Sequence, residues 1–145
     1  MTIKNDNDFK VALGELSRAG QRVVAARFAE NVLALSQDGR VKSAINVGKR
    51  NDITEDELLA AFQSVNKASV DSFTQCGHEC DWNSQAGHFV AQAALSCLKA
   101  GDSPAWEAAM HARMARTCES IAAGRGTDNA EAAAQYRILA EYLNV

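Results

Sequence analysis

Cys76, His78 and Cys80 fall within five residues of one another, Asp81 adjoins them, and His88 follows one short segment later. Thiolate sulfur and imidazole nitrogen are good zinc donors, and four of them would close a tetrahedral structural site. Cys76, His78, Cys80 and His88 are therefore the candidate metal ligands, with zinc as the cofactor their chemistry suits. The order C-x-H-x-C lacks the C-x-x-C knuckle of familiar zinc modules, so the same residues support two other readings. Cys76 and Cys80 could form a reversible disulfide across the bend, with Cys80 acquiring thiolate character near the start of the next helix. Alternatively, the cysteines pack at helix ends while His78 and Glu79 sit in a solvated turn.

Other reactive side chains are more diffuse. Cys97 and Cys118 lie among apolar neighbours, where a free cysteine behaves as a small hydrophobe. His111 shares a helix face with Cys118, but no nucleophile turn or orienting third residue accompanies them, so packing is the expected role. Trp82, Trp106, Met110 and Met114 could line a pocket, although an apolar stripe at helical spacing is ordinarily core. The chain has no phosphate-binding glycine loop, G-x-S-x-G, H-E-x-x-H, haem-attachment or calcium-loop motif. It also lacks the paired Glu and Glu-x-x-His motifs of a di-iron bundle. No catalytic or cofactor-binding residue is predicted beyond the possible metal ligands.

The elements that must position these residues read as helices throughout. Asp6 to Asp8 offer caps for a short helix through Phe9 and Leu13, with a break near Ser17–Gly20. Val24, Phe28, Val32 and Leu35 recur at helical spacing in the next segment. Asp38-Gly39 punctuates it, and a shorter helix follows through Val41, Ile45 and Val47. Thr54 and Glu57 have capping-box spacing, ahead of a face predicted to carry Leu58, Phe62, Val65, Ser69 and Phe73. Gly77 breaks that pattern, and Asp81 or Asn83 can cap a helix running to Gly101. Ser103-Pro104 opens another, with proline at the first helical position and Trp106, Met110, Met114, Thr117 and Ile121 along one face. Asp128 and Glu131 suggest a second capping box before a last helix with Tyr136, Leu139 and Leu143. The prediction is an all-α fold: a single domain over 1–145, folded as a compact antiparallel bundle or array of six to seven helices.

Composition agrees. Of 145 residues 27 are alanine and one is proline, which favours helices able to approach closely. Ten basic residues meet ten acidic ones in residues 1–75, and five meet eight in residues 76–145. Neither half has the basic surplus that binding a phosphate backbone requires, so nucleic acid is not an expected partner. The polar N-terminus has no secretory h-region and no apolar run reaches membrane-spanning length, so no membrane association is expected. Free cysteines suit a reducing compartment, making the cytoplasm the expected location.

The segment from Ala26 to Leu33, then Asp38 to Ile45, then the acidic-started helix from Thr54, resembles alanine-rich helical immunity proteins of bacterial toxin systems. The likeness covers about residues 20–75. It implies a helical protein that acts by binding another protein, with no catalytic residues to carry over. The expected function is thus a non-enzymatic protein-binding module, its partner another protein or its own copy, since alanine-rich faces pack well on themselves. The alternative is a metal- or thiol-dependent sensor or enzyme centred on Cys76, His78, Cys80 and His88.

Overall fold

Alanine sets how closely the helices pack. In a computed structural model describing residues 2–76, 81–99 and 101–145 (Cys76 by its backbone alone), seven helices appear among the described residues. They are α1 (Asp6–Gly14), α2 (Arg18–Glu30), α3 (Gly39–Gly48), α4 (Glu55–Cys76), α5 (Trp82–Leu98), α6 (Pro104–Ala122) and α7 (Glu131–Leu143), with a 3-10 turn at Leu33–Leu35. The chain is an all-α bundle, as its periodicity predicts. No helix among the described residues is long and apolar enough to cross a membrane.

Helix α5 is the central strut and packs against α2, α3, α4 and, most extensively, α6. Its buried positions are small: Ala86, Ala91, Ala93, Ala94, Ser96 and Cys97, with Val90 the one large side chain among them. The opposing face of α6 answers with Ala105, Ala108, Ala109, Ala112 and Ala115. Small side chains on both surfaces let the helix axes come close, so backbone and Cβ atoms make the dispersion contacts that longer side chains make elsewhere. This corrects one expectation. Met114, placed on the core face of α6 by its spacing, is exposed, and the alanines hold the interior.

A closer approach occurs at Gly48. A Cβ there would lie 3.1 Å from both Ala26 Cβ on α2 and Cys97 Sγ on α5. The Cys97 thiol donates to the Ala94 carbonyl, and complete burial pushes its pKa up to about 12, so it remains protonated. The core role expected of Cys97 holds, and Cys118 is likewise buried.

Local caps account for most boundaries. Asn5 accepts from the Asp8 amide, Ser17 from Gly20, Asp38 from Arg40, and Asp81 from Ser84. The Thr54 hydroxyl accepts from the Glu57 amide, but the Glu57 carboxylate turns to the Arg50 guanidinium and the Thr54 hydroxyl. Three boundaries depart from prediction: α1 is capped by Asn5, one residue ahead of the expected Asp6 to Asp8, and two others differ further. Helix α2 ends at Glu30 instead of running on to Leu35, because Arg116 takes the Asn31 carbonyl and the Asn31 amide donates to Glu131. Before α7, Asn129 rather than Asp128 accepts the Glu131 amide. The Glu131 side chain is buried against Arg116 at 3.1 Å and does not close a capping box.

The outer helices are held by polar and aromatic contacts. Arg113 on α6 donates twice to Asp6, at 2.9 and 3.0 Å, and once to the fully buried Gln135, whose amide donates to the Ala109 carbonyl. Tyr136 donates its hydroxyl to Asp6. Phe9 lies beneath this network with Phe28, Trp106 and Tyr136 around it at 5.3–6.1 Å. Burying polar groups in satisfied hydrogen bonds fixes α1 and α7 to one position on the bundle.

Two consequences can be measured. Gly48→Ala should destabilise the fold by about 1–3 kcal/mol through overpacking. Gly14→Ala, where a Cβ meets open space, should stabilise by up to ~0.5–1 kcal/mol; urea denaturation of both variants tests the contrast. The Arg113 hydrogen bonds hold the Asp6 carboxyl below its ordinary value of 3.8. Its stabilisation is therefore present above that value and lost as pH falls through the lower folded-state pKa. Asp6→Asn should flatten the loss of thermal stability below that pH, read from Tm against pH.

Candidate functional site

Three segments distant in sequence meet in one cleft. Residues 35–41 form its rim, the last turns of α4 one wall, and the first turns of α5 the other. The cleft has a volume of about 640 Å³ and is lined by polar side chains: Asp38, Arg40, Asp71, Ser72, Asp81 and His88 carry its electrostatics.

The walls are braced by charge. Arg40 donates to both carboxylate oxygens of Asp38 and, at 3.0 Å, to Asp71 on α4. Asp38 has its own pKa lowered by the Arg40 hydrogen bonds, and Arg40 is raised by the two carboxylates. Asp38 also caps α3, so one side chain starts the helix and orients the arginine. Asp81 caps α5 at the opposite wall, which lowers its pKa through the Ser84 amide. Among the described residues two carboxylates, Asp38 and Asp71, face the Arg40 guanidinium, so these three groups sum to a net charge of −1.

His88 lies between α4 and α5. Its Nδ1 is 2.7 Å from the Ser72 hydroxyl, which donates its only proton to the Ser69 carbonyl at 2.8 Å. The hydroxyl can then only accept, and the network assigns the Nδ1–H tautomer. Gln92 donates to Ser69 Oγ and stands 3.4 Å from His88 Nε2. Burial holds the His88 pKa below its ordinary 6.5.

An aromatic row continues from this point. The Phe73, His88, Phe89 and His111 rings follow one another at 5.9, 5.9 and 6.4 Å. His111 Nδ1 is buried without a hydrogen-bond partner among the described residues, and burial lowers its pKa too.

Of the predicted metal ligands, His88 alone has a described side chain; the Cys76 side chain, His78 and Cys80 lie outside the described residues. Cys76 ends α4 one turn beyond Ser72. With Nδ1 taken by Ser72, His88 has Nε2 for a metal, and that nitrogen is on the Gln92 side. No group of three or more His, Cys, Asp or Glu able to hold a metal occurs among the described residues.

Sequence reading passed over Asp38, Arg40 and Asp71 as site residues. Asp38 reads as helix punctuation, and neither Arg40 nor Asp71 carries a motif that marks it. Only the separation of 31 residues between Arg40 and Asp71, closed by α3 packing on α4, brings them together. In comparisons with protein-family models, curated proteins and solved structures, no match to this chain was found.

The His88 arrangement yields a direct expectation. Because the folded-state pKa is depressed, the unfolded chain binds the proton more readily below the ordinary value of 6.5. His88 should therefore contribute to a loss of stability as pH falls from that value toward its folded pKa. NMR titration of the imidazole should give a midpoint under 6.5 and nitrogen shifts of the Nδ1–H tautomer. In Ser72→Ala the tautomer preference should weaken while the helical circular dichroism persists.

Proposed function

We propose that this protein is a non-enzymatic helical binding module that accepts a basic segment of a partner protein in the cleft between α3, α4 and α5. The observation that carries this reading is the excess of carboxylate over guanidinium in a preformed, braced cleft. Among the described residues Asp38 and Asp71 stand against Arg40, and burial holds the His88 pKa below its ordinary 6.5. Low local dielectric and fixed geometry make such a cleft attractive to lysine or arginine side chains, and repulsive to acidic or phosphate-bearing partners.

Resemblance of residues 20–75 to immunity proteins of bacterial toxin systems favours the same class, with the partner then a toxin domain that presents a basic surface. A cytoplasmic location fits a chain whose described cysteines are protonated core residues.

The test is calorimetric titration with a lysine- and arginine-rich peptide, alongside an acidic peptide of equal length. The basic peptide should bind, and its affinity should fall as salt rises. Asp71→Asn should weaken binding about tenfold, equivalent to about 1.4 kcal/mol, without loss of helicity. Equal affinity for the acidic peptide, or tighter binding by Asp71→Asn, would overturn the proposal. Elemental analysis of chelator-free protein separates it from the alternative of a metal- or thiol-dependent centre on Cys76, His78, Cys80 and His88. About one zinc per chain would favour that alternative, since metal binding is coupled to folding.

A further inference from the structure

Helix α4 carries a second face that the bundle does not use. Val65, Ala68 and Ser69 point into the core, and the cleft takes Ala68, Asp71, Ser72 and Gln75. On the far side, Leu59 is 55 % exposed, Val70 56 % and Phe73 71 %. Phe62, half-buried, and Asn66, exposed, complete the same stripe. At 100° per residue these five positions fall within one sector of the helix. Phe73 was expected on the core face with Val65 and Ser69; it lies instead at the edge of this outer stripe, against His88.

The spacing of the stripe is symmetric about its polar member. Counting from Asn66, the apolar residues lie four and seven positions to either side: Phe62 and Leu59 before it, Val70 and Phe73 after it. No charged residue occupies any of the five positions. We propose that α4 pairs antiparallel with α4 of a second copy of this chain, about a two-fold axis passing at Asn66.

An isologous interface requires one patch to complement itself, with residue i meeting j and j meeting i. In this register Leu59 meets Phe73 of the second copy, Phe62 meets Val70, and the two Asn66 amides face each other. Paired amides donate and accept reciprocally, while any shifted register places the Asn66 amide against an apolar side chain. A single buried asparagine fixes register in helix pairs in the same way. A parallel pairing would set Phe73 on Phe73 and leave Leu59 on Leu59, without large-to-small complementarity.

The surface available limits how strong this pairing can be. The four apolar side chains present roughly 400 Å² per chain, about half of the ~800 Å² per partner in a standard interface. Gln63, Lys67, Thr74 and Gln92 border the stripe as a polar rim. An interface of this size is that of a weak, concentration-dependent dimer. Because the stripe and the acidic cleft lie on opposite faces of α4, both clefts stay open in the dimer.

Sedimentation equilibrium from about 1 to 500 µM should show a concentration-dependent monomer–dimer equilibrium within that range. Val70→Glu and Phe73→Glu should each shift the chain to monomer across that range, with helicity and Tm retained because both positions are exposed. Register is tested by mixing. Leu59→Lys and Phe73→Glu are each weakened as homodimers, but their mixture should form a heterodimer at least tenfold tighter than either, through one Lys–Glu contact and one native Leu–Phe contact. A chain monomeric throughout, a dimer insensitive to both glutamate variants, or a mixture no tighter than its components would each overturn the proposal. None of these results bears on peptide binding in the cleft.

Discussion

The close approach of small side chains around α5 is the constraint on which the rest of the molecule depends. Alanine against alanine between α5 and α6, and Gly48 against Ala26 and Cys97, bring three helices, α2, α3 and α6, onto one central strut. Individual contacts of this kind are weak, and their sum is set by how completely voids are excluded. A core built of small residues has little capacity to relax around an added methyl group. It therefore holds α3, α4 and α5 in fixed relation, which gives the cleft between them a preformed shape.

Polar chemistry is placed at the margins of that core. Arg113, Gln135, Tyr136 and Asp6 secure α1 and α7, while Arg116, Glu131 and Asn31 stop α2 and redirect the chain. The buried Glu131 is satisfied by two donors from different helices, so its burial specifies a position rather than leaving an unpaired charge. Arg40 has the same function at the cleft, where its pairing with Asp38 and Asp71 joins the start of α3 to the second half of α4.

Helix α4 then serves two surfaces. Its inner wall contributes Asp71 and Ser72 to the cleft, and its outer stripe leaves Leu59, Val70 and Phe73 exposed. A 22-residue helix at the periphery of the bundle can present both, since only one narrow sector of it is needed for packing against α3 and α5. His88 and His111 lie half-buried between the helices that hold these surfaces.

Helix number, fold class and the caps at Thr54 and Asp81 were legible in the residues themselves, because alanine propensity, apolar periodicity and side-chain caps act over a few neighbouring positions. Ser17 and Asp38, which read as breaks, also begin helices for reasons local to each. The burial of Cys97 and Cys118 was legible for the same reason. The end of α2 at Glu30, the pairing of Arg40 with Asp71, the burial of Glu131 and the outward turn of Phe73 were not. Each depends on which helix lies opposite, and a helix with apolar residues on two faces does not itself say which face is covered. Local interactions determined the helices; packing between distant segments decided which of their side chains meet.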